Sequence, residues 1–152
     1  MKKHLLAALV AATFAVPAFA GDTATLAVSA TISSTCKFTT GSFTMNFGAL
    51  DPSAAANQAQ STGITYKCTK GAAATSFSFD GAAVSPTSVN ITNGTDVIPV
   101  ALSWTVPAST GTGFGAGSTA ISMTVNGSIL GTNYANVSAG AYTKNVTVVV
   151  AP

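Results

Sequence analysis

The chain has 152 residues, of which 47% are hydrophobic and only 7% are charged, and its formal net charge is +2. After residue 20 it contains no histidine, glutamate or arginine. This composition excludes a basic stripe for nucleic-acid phosphates, and it leaves no base beyond lysine and aspartate to activate a nucleophile. We therefore expect neither an enzyme nor a cofactor or metal site. The charges that remain cancel: Lys37, Lys67, Lys70 and Lys144 against Asp22, Asp51, Asp80 and Asp96.

Residues 1–20 have the pattern of a removable secretory signal. Residues 2–4 form a basic start, residues 5–16 are an apolar run, and residues 18–20 give the Ala-Phe-Ala motif after which signal peptidases cut. The apolar run is too short to span a bilayer, which favours cleavage over anchoring. We therefore expect the chain to leave the cytoplasm with Gly21 as its first residue.

Residues 21–35 form the most regular segment, in which apolar and mostly hydroxyl-bearing side chains alternate. This alternation, with high β propensity, predicts a strand with one apolar face. The strand either docks into the body of its own chain or pairs with a neighbouring copy, and the second arrangement makes a polymer. The sequence leaves both open. The apolar positions are Ala24, Leu26, Val28, Ala30 and Ile32.

Cys36 and Cys68 are the only cysteines. An even pair behind a secretory signal predicts one disulfide in an oxidising compartment. Closing that loop stabilises a fold by about 3–4 kcal/mol in the chain-entropy model. A zinc site is the poorer interpretation, because two thiolates without histidine do not complete a tetrahedron.

Short alternating runs separated by Gly, Pro, Asn and Asp fill the rest of the chain, and no apolar 3.6-residue period is sustained after residue 20. Many short strands with turns between them predict an all-β sandwich. Residues 51–62 and 107–117 lack strand character and are predicted loops, and Pro99 predicts an edge strand or a bulge. The predicted strands are residues 43–47, 63–68, 76–80, 97–106, 118–125 and 141–150.

Aromatic and acidic side chains have structural interpretations. The phenylalanines at strand spacing and the single tryptophan predict core positions rather than a sugar-binding platform. Tyr142, just before the last predicted strand, fits the tyrosine corner of sandwich folds. Asp51, Asp80 and Asp96 stand in turn contexts, so solvated turn residues are favoured over a carboxylate pair for hydrolysis. The predicted core aromatics are Phe43, Phe47, Phe77, Phe79 and Trp104.

An ordered set of fragments resembles the spore coat U domain family, which includes the pilins of archaic chaperone–usher pili. The likeness runs over nearly the whole chain after the signal. Two departures stand out: the chain ends in Ala151-Pro152, and Phe114-Gly115 replaces the tryptophan-glycine found late in the family. In the family pattern Gly127 lies within a strand, although Asn126-Gly127 also fits a hairpin turn. The fragments are Cys36, Phe47-Gly48, GITYKCT at 63–69, VIPVAL at 97–102, TVNGSI at 124–129 and AGAYTKNVTV at 139–148.

The resemblance implies an incomplete immunoglobulin-like β-sandwich at residues 36–152 with an N-terminal donor-strand arm at residues 21–35. The next subunit would supply the missing strand. A periplasmic chaperone would first fill the gap, and an outer-membrane usher would then exchange it for a neighbour's arm. The implied donor-strand residues are Leu26, Val28, Ala30 and Ile32, and the C-terminal strand that flanks the acceptor groove and contacts the chaperone would contain Val146, Val148 and Val150.

These expectations lead to one functional hypothesis and two alternatives. The chain is expected to be a structural subunit of a surface pilus, exported to the periplasm and assembled outside the cell for attachment or biofilm formation, with identical or related pilins as partners. The first alternative is a secreted, self-contained β-sandwich binding module whose arm folds onto its own body. The second is a spore-coat or surface-layer component built from the same domain.

Overall fold

The computed structural model describes residues 21–152, and the predicted signal at residues 1–20 lies outside the described residues. Of these, residues 21–31 belong to one unit and Ile32–Pro152 form another. In the first, residues 21–31 contain no strand or helix, and the side chains of Leu26 and Val28 are 85% and 84% exposed. No helix within residues 21–152 has the length and hydropathy needed to cross a bilayer.

Seven strands build the second unit, as the all-β prediction requires. A five-stranded antiparallel sheet has the order β1-β2-β6-β5-β4, and a separate pair joins β3 to β7. This open sheet with a small second sheet is consistent with an incomplete β-sandwich. The strands are β1 (Cys36–Phe38), β2 (Gln58–Cys68), β3 (Ser76–Phe79), β4 (Thr87–Thr92), β5 (Val97–Trp104), β6 (Ile121–Ile129) and β7 (Val148–Ala151), with a 3-10 turn at Gly131–Asn133.

Alternation along the strands places the core on one face of the large sheet. In β6 the buried positions Met123, Val125 and Ile129 alternate with exposed Ser, Thr and Asn residues. Because neighbouring side chains of a strand point to opposite faces, each such strand has one apolar and one polar face. Burial of each large side chain contributes about 1.5–3 kcal/mol. Tyr66, Phe77, Phe79 and Trp104 are buried in this core, as predicted for the last three, whereas Phe43 and Phe47 are half-buried.

Cys36 and Cys68 form the predicted disulfide. They are directly opposite each other in the β1–β2 ladder, with Cα atoms 4.1 Å apart, and both are buried. The bond fastens the short β1 to the long β2 and closes a loop between residues 32 positions apart.

Several predicted boundaries are wrong. Residues 43–47 form no strand, and of the predicted strand at 141–150 only the part from Val148 onward is assigned as one. Residues 58–62, predicted as loop, are the beginning of β2, where they pair in register with residues 125–129 of β6. The strand β4 (Thr87–Thr92) was not predicted. Residues 107–117 lie between strands, as predicted.

Two local predictions at Pro99 and Gly127 are resolved. Pro99 lies in β5, a central strand by order, but β6 joins β5 only from Ala101 onward. Pro99 therefore occupies a stretch that is locally an edge, where its missing N–H costs no ladder bond. Its carbonyl accepts a hydrogen bond from Asn133 Nδ2 at 3.4 Å.

Gly127 lies inside β6, opposite Gln60 and Leu102, and not in a hairpin turn.

Candidate functional site

A groove of about 430 Å³ opens into the core of the second unit. Its wall consists mainly of apolar side chains that project from the inner faces of the sheets. Such a surface is costly to leave in water, because each Å² of apolar area contributes about 25 cal/mol when it is covered. The apolar residues deep in the groove are Ile64, Phe79, Val89, Val100, Leu102 and Val125.

Residues 42–47 form the first border of the groove. Phe43, Met45 and Phe47 are half-buried and line it, whereas Thr44 and Asn46 are exposed. This is the alternation of a strand. Within residues 21–152, however, the N–H and C=O groups of residues 43–47 make no backbone–backbone hydrogen bond. The segment has the side-chain pattern of a strand without a ladder partner, which explains why the sequence predicts a strand there and the structure has none.

Residues 144–148 form the second border. Val146 and Val148 are half-buried and line the groove, and Lys144 and Asn145 lie beside them. Val150 does not line the groove; it pairs with Phe77 in the β3–β7 ladder and packs against the core. Among the described residues, the backbones of Asn145 and Val146 have no backbone hydrogen-bond partner. The C-terminal segment is thus paired at its end and free beside the groove.

Asp80 holds the second border in place. Its carboxylate accepts a hydrogen bond from the Thr147 N–H at 2.8 Å and forms an ion pair with Lys144 Nζ at 2.8 Å. Its own N–H donates to the Thr147 carbonyl at 2.8 Å. Lys144 first, and then the Thr147 N–H, lower the pKa of the Asp80 carboxyl. Asp80 does lie in a turn, as predicted, but its contacts with a segment more than sixty residues away were not apparent from the sequence.

Tyr142 fixes the chain just before that border. Its hydroxyl donates to the Ser138 carbonyl at 2.8 Å and accepts from Asn93 Nδ2 at 3.0 Å. The Ser138 N–H donates to Asp96 at 2.7 Å. Hydrogen bonds from Ser138 lower the pKa of Asp96, while desolvation and then the Asp96 charge raise the pKa of Tyr142. A hydroxyl bound to the backbone four residues upstream is the arrangement of a tyrosine corner, as predicted.

The remaining predicted site residues lie in the arm. Leu26, Val28 and Ile32 are 84–85% exposed, Ala30 is exposed, and residues 21–35 contain no strand. Large apolar side chains at such exposure are unusual when they repeat on one face of a segment. The arm therefore has the alternating sequence of a strand with one apolar face, and the side chains of that face are exposed.

The groove has the geometry of a surface that receives a strand. The backbones of residues 43–47 on one border, and of Asn145 and Val146 on the other, have no backbone hydrogen-bond partner among the described residues. Unpaired strand edges readily pair with another extended chain. Across residues 21–152 no three His, Cys, Asp or Glu side chains are grouped to hold a metal ion.

A family model described as the Spore Coat Protein U domain matches residues 22–149. Comparisons with curated proteins and with solved structures find no match. The domain is structural or adhesin-type rather than catalytic, and its family includes archaic chaperone–usher pilins. The matched region begins directly after the predicted signal, and the Cys36–Cys68 disulfide indicates an extracytoplasmic protein. The chain belongs to the Spore Coat Protein U domain family.

Proposed function

We propose that this protein is a structural subunit of a surface pilus, assembled by donor-strand exchange and used for attachment or biofilm formation. The observation that carries the proposal is the apolar groove between residues 42–47 and residues 144–148, because the backbones of residues 43–47, Asn145 and Val146 have no backbone hydrogen-bond partner within residues 21–152. In this function the arm of one subunit, residues 21–35, lies in the groove of the next, within residues 36–152. The arm and the unpaired backbone of residues 43–47 then each gain a ladder partner.

The arm and the groove match in length and chemistry. From Leu26 to Ile32 an extended chain advances about 20 Å, and the border at residues 42–47 advances about 17 Å. The apolar face of the arm consists of Leu26, Val28, Ala30 and Ile32, spaced for every second position of a strand. Burying the three larger side chains contributes about 5–9 kcal/mol before the cost of ordering the arm. A hydroxyl-rich opposite face remains suitable for contact with water.

The C-terminal strand has a second role in this scheme. An exposed apolar groove is an aggregation hazard before assembly, so a newly exported subunit needs a temporary partner. We assign that role to a periplasmic chaperone, which would contact Val146, Val148 and Val150, and the exchange step to an outer-membrane usher. Genes for such proteins beside this one would support the assignment.

The self-contained alternative makes a different prediction for the arm. In a finished module the arm would be a strand in the ladder of its own body, whereas residues 21–35 contain no strand and their apolar side chains are exposed. The spore-coat alternative uses the same domain and is distinguished by location: a pilin forms fibres on the cell surface, and a coat protein does not.

Deletion of residues 21–33 tests the proposal. Secreted full-length protein should give multimers that resist SDS in unboiled samples, and the deletion variant should give monomers. A synthetic peptide of residues 22–34 should then bind the deletion variant and raise its melting temperature, which shows that the variant is folded and that its groove is open. Multimers that survive the deletion, or a peptide without effect on a folded variant, would contradict donor-strand exchange.

A further inference from the structure

The positive charges of this protein are concentrated at one end of the large sheet. Of the four lysines after residue 20, Lys144 is paired with Asp80, which is the only ion pair formed within residues 21–152. The other three, Lys37, Lys67 and Lys70, lie in β1, at the end of β2 and directly after β2. Together with the exposed ring of Phe114, these three lysines form what we call the lysine patch.

Lys37 and Lys67 are directly opposite each other in the β1–β2 ladder. Directly opposed residues project on the same face of a sheet, and like charges in such a pair are destabilising. No aspartate of the described chain neutralises them. Lys67 is held in place nevertheless, because its Nζ donates to Ser118 Oγ at 2.9 Å. Two opposed ammonium groups, one of them positioned by Ser118 and neither paired with a described aspartate, favour an anion as their counter-charge.

The loop before β6 adds an aromatic ring to this end of the sheet. The Gly113 N–H donates to the Cys68 carbonyl at 3.1 Å, and the Gly71 N–H donates to the Gly111 carbonyl at 2.9 Å. These bonds place the loop against the segment that carries Lys70. Phe114, the next residue of the loop, is 48% exposed.

The outer face of β2, β6 and β5 continues from the patch as a surface of hydroxyls and amides. Ser61, Asn126 and Ser103 form one row across the three strands, on the same face as Lys67 because β2 alternates. A shallow concavity of about 360 Å³ opens there. The distance along β2 from Lys67 to Ser61 is about 20 Å. Its lining residues are Ala59, Gln60, Ser61, Ser103, Asn126, Gly127 and Ser128.

We propose that the lysine patch, together with this outer face, binds an anionic polysaccharide whose acidic groups are carboxylates, such as a polyuronate. The three ammonium groups match carboxylates spaced along a polymer, the hydroxyls and amides match sugar hydroxyls, and the Phe114 ring offers an apolar face to a sugar ring. Nucleic acid fits less well, because its binding depends on neutralising many phosphates and the lysine patch contains only three lysines. A second copy of this chain also fits less well, because its carboxylates are few and Asp80 is already paired.

This site is independent of the groove. The groove lies on the inner side of the sheet, at Ile64 and Val125, while Lys67 and Asn126 occupy the alternating outer positions. Binding by a single subunit therefore does not depend on the proposed polymerisation. The gain in avidity does rest on it, since a fibre would present one patch per subunit to the same polymer.

The test uses the full-length secreted protein and immobilised polygalacturonate, with fully methyl-esterified polygalacturonate as the uncharged control. A triple variant, Lys37→Gln, Lys67→Gln and Lys70→Gln, should bind about tenfold more weakly, whereas the triple Lys→Arg variant should keep its affinity within about twofold. Circular dichroism and melting curves check that the variants are folded. Phe114→Ala should weaken binding to polygalacturonate while leaving SDS-resistant multimers unchanged.

Three results would overturn the proposal: no binding to polygalacturonate by the wild type, equal affinity of the Lys→Gln variant, or equal affinity for the methyl ester. Single-stranded DNA bound as tightly as polygalacturonate at the same charge concentration would also overturn the carbohydrate assignment. Because the Lys→Gln variant should still form multimers, loss of polysaccharide binding and loss of assembly are read separately.

Discussion

Met45 packs so closely over Gly127 that a Cβ atom on residue 127 would overlap with the Met45 sulfur and crowd the Phe47 ring. This contact seats the first border of the groove on the buried face of β6. Residues 42–47 have no backbone ladder to position them, so side-chain packing onto this glycine replaces it. The glycine therefore matters for the shape of the groove as well as for the core.

Gly127→Ala should displace the border. Overpacking of this kind costs about 1–3 kcal/mol, and the shift of Met45 and Phe47 should also weaken binding of the arm peptide. Gly63→Ala in β2 is the matched control, since its Cβ would meet only Ser122 Oγ at 3.8 Å. Melting curves and peptide titration of the two variants, made in the chain without residues 21–33, provide the measurement. Equal behaviour of the two alanine variants would show that the contact does not set the groove.

Val28→Asp should abolish multimers, because a carboxylate on the apolar face of the arm cannot enter an apolar groove without a partner. Ser29→Asp puts the same charge on the adjacent position, which projects to the other face, and should assemble nearly normally. Unboiled SDS gels of the two secreted variants give the comparison. If both variants assemble, or if only Ser29→Asp fails, the assignment of the arm's faces is wrong.

Asp80→Asn should lower stability at neutral pH and have a smaller effect in acid. Lys144 and then the Thr147 N–H hold the folded-state pKa of the Asp80 carboxyl below the ordinary value of an aspartate. Its contribution is therefore present above that value and is lost as pH falls through the lower folded-state pKa. Melting temperatures of wild type and Asp80→Asn should converge in this acid range. Asp22→Asn, which removes the same charge from the exposed arm, is the control, and an effect of equal size there would point to net charge instead.

Replacing both cysteines with alanine should destabilise the fold by about 3–4 kcal/mol, because the unfolded chain is then no longer restricted by a cross-link between residues 32 positions apart. Reduction of the wild type under denaturing conditions, followed by refolding in reductant, should give the same loss. Urea unfolding curves of the oxidised, reduced and substituted proteins measure it. A double variant as stable as the oxidised protein would mean that β1 pairing alone holds the first strand.

The parts of the fold that depend on local pattern were predictable. The alternation at residues 63–68 and 118–125 predicts strands that the structure contains as parts of β2 and β6, although β6 begins only at Ile121. Cys36 and Cys68 form the disulfide expected of two cysteines behind a secretory signal. Residues 43–47 show the limit of this reasoning. Alternation reports which side chains face an apolar surface, but it does not report whether another strand lies alongside to complete the ladder.

The polar contacts of the candidate site could not be predicted from the sequence, because they join residues that are far apart in the chain. Asp80 and Thr147 are far apart in the chain, and no local motif marks their hydrogen bond. The same holds for the opposition of Lys37 and Lys67, which follows from the β1–β2 register and not from composition. Val146 and Val148 line the groove, while Val150 belongs to the neighbouring ladder, and the role that the resemblance implies for these three residues stays a prediction.

The position of the Cys36–Cys68 bond has a mechanical consequence. The arm joins the body immediately before β1, a strand of three residues, and the bond ties this strand to the eleven-residue β2. Traction on the arm would otherwise peel β1 away one hydrogen bond at a time. With the covalent link in place, tension on the arm passes through the Cys36–Cys68 bond into the eleven-residue β2, which pairs with β6 at nine positions. In a fibre of such subunits, the disulfide would strengthen the junction between the arm and β1, where each subunit is connected to the next.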